Sequence, residues 1–302
     1  MSSCRVNSCV LLGAAILAVL LFSNPGFVRS GQQTPTQDPF LEACGSSDQS
    51  KRQLVDALIA GLNTLSGDTS KQSCESYELR LKEIKSIRLR AQSITDISAL
   101  GSFPQIKFLD LSNNRISDIS VLSSMTHLTN LWIPVNEISD LRPLSNLKYI
   151  EELRASKNSV KDLTPLAKLD TLSSISISYN QIEDITALGS LDSLKLIIIG
   201  HNKIVNISEL LTLPELKRLF ANDNRIRDVD TKNLSKRVRP DPSAAPRRLI
   251  LIDLAGNPLS EEAISSLESL LEDNFRYKAA DAYHDKSFSE QAEPEIKLLR
   301  EY

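Results

Sequence analysis

The chain has 302 residues, of which 41% are apolar, 24% are charged and only 5% are aromatic, and its formal net charge is −3 at pH 7. This balance is ordinary for a globular protein, and it requires a core built mainly from aliphatic side chains. The slightly acidic balance excludes a general attraction for nucleic acid, because phosphate binding needs a basic surface.

Residues 1–30 have the features of a signal peptide. Arg5 gives a positive start, and an uninterrupted apolar run of 13 residues follows at 10–22. Small residues near Gly31 suit cleavage. The run is too short to span a membrane, since a spanning helix needs about 20 residues. We therefore expect cleavage, export to the periplasm or the medium, and no stable membrane insertion afterwards.

Residues 31–83 are expected to form an N-terminal linker and a helical cap. The apolar residues of 47–66 recur at helical spacing, which predicts a helix there. Removal of the signal peptide leaves two cysteines, Cys44 and Cys74. An even number of cysteines in an oxidising compartment favours a disulfide bond. A metal pair is the weaker alternative, because no histidine or third cysteine lies nearby, and we expect neither a metal nor a cofactor.

Eight copies of one template fill residues 84–259. The template starts at Ile84 and restarts every 22 residues as far as Leu216, and the eighth copy starts at Leu249 after 33 residues. The seventh copy therefore carries an insertion at about 230–248. The ninth position of each copy carries an amide side chain, and these residues are Gln92, Asn114, Asn136, Asn158, Asn180, Asn202, Asn224 and Asn257.

The copies, such as "IKFLDLSNNRISDISVL", resemble leucine-rich repeats, whose pattern is L-x-x-L-x-L-x-x-N-x-L. Their 22-residue length and the continuation "NxIxDIxxL" are similar to the internalin-type subclass found in exported bacterial proteins. The resemblance is close over residues 84–259 and only broad over the flanking Cys44 to Cys74 segment. It implies adhesion or binding of a host protein. Because the sequence contains no LPxTG-like signal, we expect a soluble periplasmic or secreted protein rather than a wall-anchored one.

The template itself predicts the fold. Positions three to five of each copy form a short strand, and strands of successive copies pair in parallel. Side chains at positions four and six enter the interior with those at positions 1, 11, 14, 17 and 20, and stacking of copies encloses them. The fold class is thus an α/β repeat solenoid, with a curved parallel sheet on the concave face and short helical or irregular segments on the convex face. The asparagine at position nine can satisfy backbone groups of the turn.

Alternation along each strand sends the side chains of positions three and five onto the concave face. Trp132, the only tryptophan, occupies position five, where other copies hold Asp110 or Ser176. It is either a binding anchor or a ring stacked under Arg154 that shields its own sheet. Apolar side chains at equivalent positions of later copies favour binding. The predicted partner-binding residues are Phe108, Trp132, Arg154, Tyr179, Leu196, Ile198, His201, Arg218 and Phe220.

Residues 260–302 are expected to form a C-terminal helical cap and a tail. Ser260 is followed by Glu261 and Glu262, which is typical of the start of a helix. Apolar residues then recur at helical spacing and can cover the last repeat.

The sequence predicts non-catalytic binding of a protein or peptide by a monomeric, exported scaffold. Position eight places His201 between Tyr179 and Asp223, with Ser176 and Ser178 nearby as nominal nucleophiles. An open sheet offers neither an oxyanion site nor a water-excluding pocket, so an enzyme is not expected. The alternatives are a structural envelope protein with no specific partner and, less favoured, a regulatory subunit that binds an enzyme.

Overall fold

A computed structural model describes residues 38–67, 70, 72–230, 232 and 251–272. The predicted signal peptide, most of the insertion at 230–248 and the tail beyond 272 lie outside these residues. The described helices are α1 Pro39–Gly45, α2 Gln49–Ser66, α3 Cys74–Leu81 and α4 Glu261–Glu272. None of the helices in the described ranges is long and apolar enough to cross a membrane.

One eight-stranded parallel sheet runs through the repeats in chain order. Its strands are β1 Ser86–Arg88, β2 Phe108–Asp110, β3 Asn130–Trp132, β4 Glu152–Arg154, β5 Ser174–Ser176, β6 Leu196–Ile198, β7 Arg218–Phe220 and β8 Leu251–Asp253. Each strand occupies positions three to five of its copy and pairs position for position with the next, as in Leu109 with Leu131 and Leu131 with Leu153. The predicted leucine-rich repeat solenoid is confirmed.

The core lies between the sheet and a row of short 3₁₀ helices. Position four is fully buried at Leu109, Leu131 and Leu153, as the template predicts. Stacking of copies encloses these side chains, and burial of each contributes about 1.5–3 kcal/mol. The 3₁₀ helices are Ser98–Ser102, Ser120–Ser124, Arg142–Leu144, Thr164–Leu166, Thr186–Leu188 and Leu210–Thr212.

The position-nine asparagines join successive copies. The amide nitrogen of Asn158 donates to the carbonyl oxygens of Ile133 and Ala155, both at 3.0 Å. Its amide oxygen accepts from the backbone N–H of Ile138 at 2.9 Å. One side chain therefore satisfies groups of its own copy and of the preceding one. Gln92 in the first copy has no preceding repeat to bridge, and its side-chain nitrogen donates to the carbonyl of Arg90.

The N-terminal cap contains three helices where the sequence predicted one, because two short helices flank α2. In α1, Phe40 is fully buried and packs edge-on against Phe103 of the first repeat, with ring centroids 5.3 Å apart. A disulfide joins Cys44 in α1 to Cys74 in α3. The cap thus supplies the apolar cover that a terminal repeat needs.

The helix α4 follows β8 at the other end of the solenoid. The Ser260 hydroxyl oxygen accepts from the backbone N–H of Ala263 at 3.1 Å, which caps the helix. The same hydroxyl donates to Asp228 at 2.8 Å, and this hydrogen bond links the start of α4 to the seventh copy. Leu267 is almost fully buried against the core.

Candidate interaction surface

The sheet has one side toward the core, and we call the opposite side the open face. It consists of the side chains at positions three and five of the eight strands and corresponds to the predicted concave face. Most of these side chains are partly or fully exposed, as predicted. Asp110 and Leu251 are exceptions, since they are 0% and 7% exposed. The expectation that every odd position faces solvent was therefore wrong at these two residues.

Four side chains of neighbouring strands stack across the first half of the open face. The Arg88 guanidinium lies 4.8 Å from the centroid of the Phe108 ring, and Phe108 meets Trp132 edge to face at 4.8 Å. The Arg154 guanidinium lies 4.0 Å from the Trp132 ring. We call Arg88, Phe108, Trp132 and Arg154 the aromatic–arginine row. The contact between Arg154 and Trp132 is the cation–π pair that the sequence analysis gave as the alternative to a binding anchor.

Polar contacts hold the last member of this row. The Nε and Nη2 atoms of Arg154 both lie 2.6 Å from Oε1 of Glu152. The other carboxylate oxygen of Glu152 accepts from the side-chain amide of Asn130 at 2.9 Å. Because Glu152 holds the Arg154 guanidinium in its position over the Trp132 ring, the indole is covered on one side and is only partly exposed.

Two polar atoms beside this row are buried without a hydrogen bond, the indole Nε1 of Trp132 and Oδ2 of Asp110. The Arg90 Nε lies 3.6 Å from that carboxylate oxygen, which makes an ion pair. The other Asp110 oxygen accepts from the backbone N–H of Ser112 at 3.0 Å and from its hydroxyl. Burying a carboxylate requires such partners, and they explain how the Asp110 side chain can be buried at position five.

Serines occupy β5 of the open face and position seven of the preceding copy. The hydroxyl oxygens of Ser156 and Ser176 are 3.0 Å apart, and the Ser156 hydroxyl accepts from the backbone N–H of Ser178. Ser174 is partly exposed on the same strand as Ser176. We call Ser156, Ser174 and Ser176 the serine band. It carries hydroxyls and no large side chain.

An apolar patch follows on β6 and β7. It consists of Leu196, Ile198 and Phe220, which are all partly exposed. Ile198 pairs with Phe220 in the sheet register, and Leu196 pairs with Arg218. The structure thus brings these four sequence-predicted residues together, while a serine occupies the same positions on β5.

Tyr179 and His201 form a second aromatic contact at position eight. Their rings stack with centroids 4.0 Å apart, and Lys157 Nζ lies 5.4 Å from the Tyr179 ring. The His201 Nε2 is 3.2 Å from Oδ2 of Asp223, which also accepts from the side-chain amide of Asn222. Tyr179 is 49% exposed, so this pair presents an aromatic surface at the rim of the open face.

Position eight has a backbone feature that sequence reasoning missed. In all eight copies this residue has a positive φ, between 51° at Asp223 and 69° at Gly256. The residues are Ala91, Asn113, Val135, Lys157, Tyr179, His201, Asp223 and Gly256. Asn113, His201, Asp223 and Gly256 are of types enriched in this conformation, whereas Ala91, Val135, Lys157 and Tyr179 are not. The turn therefore imposes the conformation even where the residue type does not favour it, as at Tyr179.

The arrangement around His201 is incomplete for acyl transfer. Such chemistry needs a nucleophile hydrogen-bonded to the base, and among the described residues no serine hydroxyl is hydrogen-bonded to His201. Ser178 is only 8% exposed. The described residues also contain no group of three or more side chains placed to hold a metal ion.

Comparison with known proteins agrees with this architecture. The family model for leucine-rich repeats in two copies matches residues 82–124 and 104–148. The solved structure of internalin C2 from Listeria monocytogenes is similar, with a TM-score of 0.59, 25% identity, and coverage of 71% of this chain and 88% of that chain. A leucine-rich repeat protein of Leptospira interrogans has a TM-score of 0.58 at 20% identity, with coverage of 66% of this chain and 50% of its own, and shares the fold. Comparison with curated proteins gives no match.

The repeats, the parallel sheet and the family match define a leucine-rich repeat protein. Within that class, the resemblance of its fold and sequence to internalin C2 makes the chain internalin-like.

Proposed function

We propose that this protein is an exported, non-catalytic recognition scaffold that binds a protein or peptide through its open face. The observation that carries the proposal is the apolar patch. Leu196, Ile198 and Phe220 lie partly exposed on a strand surface where the fold accepts serine, as Ser174 and Ser176 show. Contiguous apolar side chains on an exposed face are typical of a contact surface.

The aromatic–arginine row supports the same function. Tryptophan and arginine supply a large share of binding energy at protein interfaces. The contacts of Arg154 with Trp132 and Glu152 order these side chains before a partner arrives. Preordering lowers the entropy that is lost on association. Shielding of the sheet by Trp132 and contact with a partner are therefore compatible roles.

Export to the periplasm or the medium is proposed from two features. Residues 1–30 have the sequence pattern of a signal peptide. The disulfide between Cys44 and Cys74 is of the kind that persists in oxidising compartments.

The test is capture of a partner by the purified protein, with Phe220→Ala and Ile198→Ser as variants on the open face. Tyr149→Ala is the matched control, because Tyr149 is 63% exposed and lies outside the strands. Circular dichroism would establish that all three variants are folded. A partner retained by wild type and Tyr149→Ala and lost by both open-face variants supports the proposal. Equal capture by every variant would instead favour a structural envelope protein with an inert open face.

A further inference from the structure

The open face offers two separate apolar regions with a polar interval between them. The Phe108–Trp132 pair lies on β2 and β3, and the Ile198–Phe220 pair lies on β6 and β7. Strands in a sheet are about 4.8 Å apart, so the centres of the two pairs are separated by four strand spacings, or about 19 Å. The inner members, Trp132 and Ile198, are three spacings apart, or about 14 Å.

These distances match an extended chain that crosses the strands. An extended chain rises about 3.3 Å per residue, so 14–19 Å corresponds to about four to six residues. Residues an even number apart in an extended chain project from the same side. Anchors four or six residues apart therefore reach both apolar pairs together. A helix would need about 9–13 residues for the same distance, because it rises 1.5 Å per residue.

The serine band favours an extended partner over a helical one. An extended segment lying across the sheet leaves its own N–H and C=O groups without partners, and these groups need hydrogen bonds when buried. The interval contains the paired side chains of Glu152 and Arg154 on β4, followed by Ser174 and Ser176 on β5. The Ser156 and Ser176 hydroxyls bond each other and retain acceptor capacity, and the Ser174 hydroxyl can donate or accept. A helix satisfies its backbone internally and would gain little from them.

Arg88 provides a positive charge to which an acidic residue of the partner can bind. Its guanidinium stacks on Phe108, and among the described residues no carboxylate pairs with it. It lies on β1, about one and a half strand spacings or about 7 Å from the centre of the Phe108–Trp132 pair. This distance corresponds to about two residues of extended chain. A partner carboxylate at that point would make a charge-assisted hydrogen bond.

We propose that the open face binds an extended protein segment with two apolar anchors four or six residues apart and an acidic residue two positions beyond the anchor that contacts the Phe108–Trp132 pair. This inference rests on the proposed function and adds the spacing, conformation and charge of the partner.

The experiment is selection of phage-displayed random 12-residue peptides on the purified, disulfide-intact protein. Enriched peptides are then synthesised, and their dissociation constants are measured by isothermal titration calorimetry. We expect apolar positions four or six apart flanked by an acidic residue. Trp132→Ala and Phe220→Ala should each weaken binding about tenfold or more, and Tyr149→Ala should leave it unchanged.

Peptide variants test the geometry with the wild-type protein. The result therefore does not depend on whether substituted forms of the protein fold. Serine in place of either anchor should weaken binding about tenfold or more. Proline at a residue between the anchors should be tolerated, whereas it would abolish binding of a helix. Replacing the acidic residue by its amide should lose affinity by the same factor as Arg88→Ala, and the two changes combined should lose no more.

The outcomes separate this inference from the proposed function. A single anchor, an odd spacing, a requirement for helix or an absence of any enriched peptide overturns the inference while leaving open-face binding in place. Enriched peptides that bind wild type, Trp132→Ala and Phe220→Ala equally well overturn the proposed function with it.

Discussion

The Arg154 guanidinium lies 4.0 Å from the Trp132 ring and covers one side of the only indole in the chain. Intrinsic tryptophan emission therefore reports directly on this contact. We expect Arg154→Ala to shift the emission to longer wavelength and to increase quenching by acrylamide, because water gains access to the ring. The loss of an exposed cation–π pair should lower the free energy of unfolding by only about 0.5–1 kcal/mol.

Arg142→Ala is the matched control for this change. Arg142 is an exposed arginine bound to Asp140 on a 3₁₀ helix, outside the open face. Its removal should leave the emission maximum and the quenching unaltered. Unchanged quenching in Arg154→Ala would contradict the shielding of Trp132 from water by Arg154.

The position-nine asparagines that join successive copies predict a large effect from a single substitution. Asn158→Ala removes an acceptor for the backbone N–H of Ile138 and donors to the carbonyls of Ile133 and Ala155. Each fully buried group left without a partner costs about 1–3 kcal/mol. Asn158 is only partly buried, so water can replace some of these bonds, and we expect urea denaturation to show a loss of about 2–4 kcal/mol.

Gln92→Ala is the informative comparison, because it removes the ninth-position side chain of the first copy. That side chain donates to the carbonyl of Arg90 and bridges no preceding repeat. The free energy of unfolding should fall by no more than about 0.5 kcal/mol, as for an ordinary surface substitution. Equal losses in the two variants would mean that the position-nine side chains do not stabilise the protein by bridging successive copies.

The strands and the core could be predicted because apolar spacing alone determines them. Each strand lies at positions three to five, and Leu109, Leu131 and Leu153 are buried as the spacing requires. The ninth-position amides were also identifiable, since their type and spacing repeat along the chain.

The remaining features depend on contacts that periodicity does not encode. Asp110 is buried because Ser112 and Arg90 supply partners for its carboxylate, although position five alone predicts exposure. The cover of Trp132 depends on the side-chain direction of Arg154. The positive φ of position eight is imposed by the turn on residues as unsuited to it as Val135.

Val135 offers a test of that backbone conformation. A β-branched residue at a φ of 57° is held against its own preference. Val135→Asn should stabilise the protein by about 1 kcal/mol, because asparagine tolerates this conformation far better. Urea denaturation of the purified variant measures the gain.

Val205→Asn serves as the control, because Val205 is also exposed, at 59% against 41% for Val135, and does not have a positive φ. The same chemical change there should alter stability by less than about 0.5 kcal/mol. A gain of similar size at both sites would show that the more polar side chain causes the stabilisation and that relief of backbone strain does not.

The disulfide provides the last prediction, since it closes a segment of the cap with a sequence separation of 30. Replacing Cys44 and Cys74 together by alanine should lower the free energy of unfolding by about 3–4 kcal/mol in the chain-entropy model. Stability in a repeat protein is a sum of nearest-neighbour terms, so the loss should remain near the cap. Hydrogen exchange should therefore accelerate in β1 and β2, which lie beside the cap, and remain unchanged in β6 and β7. Uniform acceleration across the sheet would show that the solenoid unfolds as one cooperative unit and that the cap stabilises all of it.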